Sequence, residues 1–180
     1  MVTSFSTMLL SACLAGFNSF DIESGLKAGE KAPELKAYAL VGETRDKTVD
    51  YAKERGDLPT VYLFVNAAKF DRPMARYMKE LDKKAGDAAN QVQMVTVWVG
   101  GDFEANKKRI PLIHQSLQFD RSALAAYEGD APGPNGWGLN PEAHLTTIVV
   151  HKGKVIKSFA YQSVNDKDVP AVLTELKKAK

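Results

Sequence analysis

Hydrophobic positions along this chain fall into distinct kinds of run. Thr60-Val61-Tyr62-Leu63-Phe64-Val65, Gln93-Met94-Val95-Thr96-Val97-Trp98-Val99 and Leu145-Thr146-Thr147-Ile148-Val149-Val150 are nearly unbroken apolar or β-branched stretches. Such runs suit strands covered on both faces. Residues 35–40 alternate apolar with polar or small side chains, as a half-buried strand does. Residues 155–161 return from the third run through His151-Lys152-Gly153-Lys154, a tight turn with positive φ expected at Gly153.

Helical spacing lies between these runs. Met74, Tyr77, Met78 and Leu81 recur on one face of a helix predicted over 73–84, with Pro73 in its first turn and Gly86 closing it. Residues 103–117 read as helical with an interruption near Pro111. Val169, Val172, Leu173 and Leu176 form the inward face of a final helix over 168–180. Residues 49–55 predict a short helix capped by Gly56, and residues 122–127 predict another. Residues 128–137 carry Gly129, Pro132, Gly133, Pro134 and Gly136 and are expected to be loop.

Helix-linked strands imply parallel pairing, and the hairpin adds an antiparallel edge. The expected architecture is an α/β fold, a three-layer sandwich around a mixed sheet, with no internal repeat. A chain of 180 residues suits one domain with a short appendage and can bury a core without staples. The divisions read from the pattern are a leader over 1–20, a polar linker over 21–28 and a domain over 29–180. With 24 basic and 22 acidic side chains and no basic stripe, nucleic acid is not an expected partner.

The leader is the strongest local signal. Met8-Leu9-Leu10-Ser11-Ala12-Cys13-Leu14-Ala15-Gly16 is too short for a bilayer-spanning helix, which takes about 20 apolar residues. It suits the core of an export signal. Leu10-Ser11-Ala12-Cys13 also resembles a bacterial lipobox, which would lipidate Cys13 and anchor the chain to a membrane. Cleavage after Ala15 is the second route, and would release a soluble periplasmic domain. The leader has no Lys or Arg ahead of its apolar core, unlike most export signals. The expected location is therefore exported, either periplasmic or membrane-anchored.

Gly29-Glu30-Lys31-Ala32-Pro33 is similar to the G-x-x-A-P entry of peroxiredoxins and of the exported thioredoxin-like proteins related to them. The run 61–65, the loop 66–73 and the helix after it resemble that superfamily's strand, active-site loop and helix. Leu139 and the hairpin 145–155 resemble its closing hairpin. The resemblance, to the peroxiredoxin (AhpC/TSA) or TlpA-like branch of the thioredoxin-like superfamily, spans roughly residues 27–178. It implies a redox site where loop meets helix, at Lys69, Phe70, Asp71, Arg72 and Pro73, facing Leu145 and Thr146.

The departures from the family carry the functional reading. No cysteine follows Cys13, and thiol exchange and thiol peroxidase chemistry both need a thiolate. Leu145 stands where the family has its cis-proline, and a non-proline cis bond costs about 2.5–4 kcal/mol. Asp71 fits a helix N-cap. Alternatively, Asp71, Arg72, His144 and Trp137 line a small-ligand pocket at a helix N-terminus. Trp137 is either an exposed recognition residue or a lid folded back over the strand ends. His114, His144 and His151 lack metal-ligand spacing, so no metal and no cofactor are expected.

The expected function is a redox-inactive binding or interaction module of the bacterial cell envelope, whose partner is a protein or small molecule. The alternatives are an enzyme using Asp71, Arg72 and His144, a divergent thiol oxidoreductase or peroxidase relative, and an unprocessed reactive thiol at Cys13.

Overall fold

A computed structural model describes residues 22–179 of the chain. The leader, Cys13 and its lipidation or cleavage lie outside the described residues. In chain order the elements are β1 (Lys36–Ala39), β2 (Thr48–Asp50), α1 (Tyr51–Arg55), β3 (Thr60–Asn66), α2 (Arg72–Ala88), β4 (Gln93–Val99), α3 (Phe103–Leu117), β5 (Ser122–Ala126), β6 (Leu145–His151), β7 (Lys154–Tyr161) and α4 (Val169–Leu176). The seven strands form one sheet in the order β2-β1-β5-β4-β3-β6-β7. β3 pairs in parallel with β4 and antiparallel with β6.

The steps β3 to β4 and β4 to β5 move the same way across the sheet. Right-handed crossovers therefore place α2 and α3 on one face. Val61, Leu63 and Val65 of β3 point into that layer with Met74, Tyr77, Met78 and Leu81 of α2, Ile110 of α3 and Val172 and Leu176 of α4. Tyr62 and Phe64 alternate to the opposite face, where the five-residue α1 and the loop carrying Trp137 form a thinner third layer.

The unbroken runs form β3, β4 and β6, as their pattern predicts, and nearly all their residues are buried. Lys152 and Gly153 both have positive φ, at 52° and 65°, which is the two-residue turn that joins β6 to β7. The four predicted inward residues of α2 are each no more than 1% exposed.

Several boundaries differ from the pattern. Residues 122–126 form strand β5, not a helix, although Ser-Ala-Leu-Ala-Ala favours helix by propensity. Pairing with both β4 and β1 overrides that preference and buries Leu124, Ala125 and Ala126. Residues 48–50 pair with β1, so α1 begins only at Tyr51. α2 runs past Gly86 to Ala88, because Ala85 and Ala88 still face the core. α3 continues through Pro111 without interruption. An interior proline costs about 3 kcal/mol. Burial of Ile110, with Phe103, Ile113 and Leu117 packed beside it, offsets that loss.

Residues 22–32 lie along β7 and the loop before β6. Gly29 and Ala32 donate to the carbonyls of Val155 and Gly153, and Val155 donates to Glu30. Ser158 Oγ donates to the Leu26 carbonyl at 2.6 Å. Part of the outer edge of β7 is thus paired by the chain's own entry segment, which removes open donors and acceptors from that edge.

Candidate functional site

β3 ends at Asn66, whose side-chain oxygen accepts from Ala68 N–H at 3.2 Å and starts a 3-10 turn over Ala67–Lys69. Phe70 follows in extended backbone, then Asp71 caps α2 by accepting from Met74 N–H at 2.9 Å. Asp71 is therefore a helix cap with its carboxylate turned toward the helix's own N-terminus. Lys69 and Arg72 are exposed, and Pro73 lies in the first turn of α2.

His144 precedes β6 and is held there by its backbone. Its carbonyl accepts from Asn66 N–H at 3.0 Å, and its own N–H donates to the Tyr161 carbonyl at 2.8 Å. Leu145 is fully buried between Val65 and Tyr161. The one cis peptide among the described residues is Ala131–Pro132, so the bond before Leu145 is trans.

No hydrogen bond or ion pair joins Asp71, Arg72, His144 and Trp137 to one another. Trp137 is fully buried, so the exposed-recognition alternative is excluded. Its ring packs on Tyr62 and Phe64 at centroid separations of 4.9 and 5.0 Å. It is a plug over the strand side chains of the thin layer, because the crossover from β5 to β6 contains no helix to cover them.

The cavity at this end has other walls. Phe64, Asn66 and Val99 come from the strand ends, Pro132, Leu139 and Asn140 from the loop, and Thr146 from β6. Its volume is about 30 Å³, far below the roughly 300–1,000 Å³ of pockets for small organic ligands. Thr146 is 2% exposed and shares a 2.7 Å hydrogen bond with Ser24. Ser24 Oγ also accepts from Asn140 N–H at 2.9 Å, while Asn140 Nδ2 donates to the Glu23 carbonyl at 3.1 Å. The entry segment and the loop before β6 are thereby tied across the site. Asn66, Asn140 and Ser24 carry no local sequence signal, since only the fold brings them together.

The Thr146 hydroxyl is hydrogen-bonded to the Ser24 hydroxyl, and the described residues contain no cysteine. Among the described residues no group of three or more His, Cys, Asp or Glu is placed to hold a metal ion.

Aromatic side chains pack close to this site. Phe70 packs on buried Trp98 at 5.8 Å, and the Arg109 guanidinium lies 5.3 Å above the Phe70 ring. Lys107 sits over Tyr38 and Phe103 and pairs with Glu104 at 3.1 Å, which raises its pKa. Tyr77 shares a 3.1 Å hydrogen bond with Thr147, and burial pushes its hydroxyl pKa well above the usual value.

The backbone superposes on known solved structures over most of the chain. One is assigned as the thiol:disulfide interchange protein DsbE of Chlorobium tepidum, with 17% identity, TM-score 0.63, and coverage of 86% of this chain and 98% of that one. The fold is thioredoxin-like. Peroxidoxin BcpB from Mycobacterium tuberculosis superposes with TM-score 0.63 at 14% identity, covering 86% of this chain and 99% of that one. BsSco, a member of the Sco family of cytochrome c oxidase assembly proteins, gives 0.57 at 15% identity, covering 88% and 100%. No protein-family model and no curated protein matches the sequence. This thioredoxin-like chain thus shares a backbone with proteins named for thiol and disulfide chemistry, while its own stretch leading from β3 into the first turn of α2 reads Lys69-Phe70-Asp71-Arg72-Pro73.

Proposed function

We propose that this thioredoxin-like domain acts without thiol chemistry, as a binding or interaction module of the bacterial cell envelope. The observation that carries the reading is the content of the loop between β3 and α2. The side chain best placed to act there, Asp71, is hydrogen-bonded as the α2 cap. No thiol stands anywhere after Cys13. The cavity beside the loop is too small for an organic substrate, which also favours surface recognition over turnover.

The envelope location rests on the apolar, small-residue segment around Cys13. Among the described residues no helix is long and apolar enough to cross a membrane. A lipid on Cys13 would supply a membrane anchor.

Two measurements test the reading. The full-length chain and its Cys13→Ser variant are assayed for disulfide reduction with a dithiol donor and for peroxide consumption. Neither activity is expected in either protein. Turnover lost in Cys13→Ser would restore Cys13 as a reactive thiol, and turnover retained would establish an enzyme. Intact mass from soluble and membrane fractions of the native host then tests location. A mass beginning at an acylated Cys13 or near Gly16 supports export, whereas a full-length soluble species overturns it.

A further inference from the structure

A groove of about 250 Å³ opens between α2 and α3, next to the loop that precedes α2. Phe70 and Ala75 form one side. The other is a stripe of α3, Arg109, Leu112, Ile113 and Ser116, which recurs at i, i+3, i+4 and i+7 and so shares one helix face. Leu112 is 64% exposed and is the one large hydrophobic side chain in that condition among the described residues.

The rim is cationic. Lys69 adjoins Phe70 in sequence. Arg72 and Lys79 share the α2 face of Ala75, and Lys108 lies one turn before Leu112. With Arg109 these are five exposed cations, and none of them has an ion pair or side-chain hydrogen bond within the described residues. The neighbouring acids are already engaged. Asp71 caps α2, Glu80 pairs with Lys84, and Glu104 pairs with Lys107. The charge imbalance is therefore local to the groove, although the whole chain is only +2.

We propose that this groove docks an acidic amphipathic helix of a partner protein, with its apolar side chains in the recess and its carboxylates on the rim. The inference rests on the reading of the domain as a binding module and names its surface and partner chemistry. The shape decides between classes of partner. A recess receives projecting side chains, as in helix-in-groove recognition. A membrane surface needs apolar side chains that project from the protein into the acyl layer. Here only Leu112 projects, while Phe70 and Ile113 are half-buried. At this volume the recess admits one or two side chains and falls short of a small-molecule pocket.

The test uses the full-length protein and a labelled synthetic helix with Leu at i, i+3, i+4 and i+7 flanked by Glu. A twin peptide with Lys for Glu and vesicles of phosphatidylglycerol serve as the other probes. The Glu peptide is expected to bind, with affinity falling as salt rises. Leu112→Ser and Arg109→Glu are each expected to weaken it by about tenfold or more, equivalent to ~1.4 kcal/mol. Both positions are exposed, so an unchanged urea midpoint confirms that these variants remain folded.

The proposal fails if neither peptide binds, if both bind alike, or if binding ignores both substitutions. It also fails if the vesicles bind and the same substitutions abolish that binding, which would make this a membrane face. Absence of peptide binding in a protein without thiol turnover overturns the groove alone. Thiol or peroxide turnover overturns the module reading, whatever the peptides do.

Discussion

The indole Nε1 of Trp137 donates to the Glu34 carbonyl at 3.1 Å, joining the loop before β6 to the strand entry 103 residues earlier in the chain. The same ring covers Tyr62 and Phe64, so one side chain closes the face that α1 leaves open. The plug sits in a stretch rich in Pro and Gly, which cannot supply a covering helix.

Removing the plug is expected to be severe. Trp137→Ala should destabilise the domain by about 3–5 kcal/mol, the range for truncating a buried aromatic. Trp137→Phe keeps a ring but loses the bond to Glu34, and about 1–2 kcal/mol is expected. Urea denaturation of the full chain followed by circular dichroism measures both. Equal, negligible effects would show that the loop does not close the core.

Asp82 is a second anchor. It is 3% exposed and accepts from Asp120 N–H, Arg121 N–H and Ser122 Oγ at 2.9, 3.0 and 2.7 Å. A carboxylate on α2 thereby fixes the start of β5. Asp82→Ala leaves all three donors without it and should cost about 2–4 kcal/mol. Asp87→Ala, on an exposed position of the same helix, should stay within about 0.5 kcal/mol. Because alanine favours helix more than aspartate does, propensity works against any loss, and a comparable loss in both variants would show that the three Asp82 bonds do not carry the effect.

Alkaline pH should unfold the domain through its buried tyrosines. Burial, with the nearby Glu54 charge adding to it, pushes the Tyr51 hydroxyl up to about 12. Burial also raises Tyr62, Tyr77 and Tyr161. An unfolded tyrosine ionises near pH 10, roughly. Above that pH the unfolded chain releases protons that the folded chain retains. The stabilisation is therefore complete below about pH 10 and is lost as pH rises, at ~1.4 kcal/mol per pH unit for each such tyrosine. Urea midpoints should fall steeply from about pH 10 upward, and Tyr77→Phe should flatten the decline. Phenolate absorbance from these hydroxyls should appear together with unfolding. Absorbance that rises while the fold persists would show that they titrate in the native state.

Sequence pattern alone determined β3, β4 and β6, the inward face of α2 and the turn at Lys152-Gly153. Continuous apolar runs, helical spacing and turn chemistry act within a few residues, so they are legible locally. The same holds for Asp71, whose capping role follows from its place before Arg72-Pro73, and for the missing thiol. Residues 122–126 were not legible as a strand, because their local preference is helical and only β4 and β1 make them extended. The interruption expected at Pro111 failed for the same reason, since core burial outweighs one lost helix bond.

The site was less legible than the fold. Asp71, Arg72, His144 and Trp137 form an alternative pocket on the sequence reading, yet Trp137 turns into the core and the His144 backbone is bonded to Asn66 and Tyr161. Asn66, Asn140 and Thr146 line one cavity and Ser24 bonds to the last two, so three separate stretches of the chain meet there. The cationic groove likewise needs α2 and α3 to lie on one face, which handedness of two crossovers decides. Local pattern specifies what each segment can become; tertiary packing decides which side chains share a surface, because that depends on strand order and on free energies summed over the whole core.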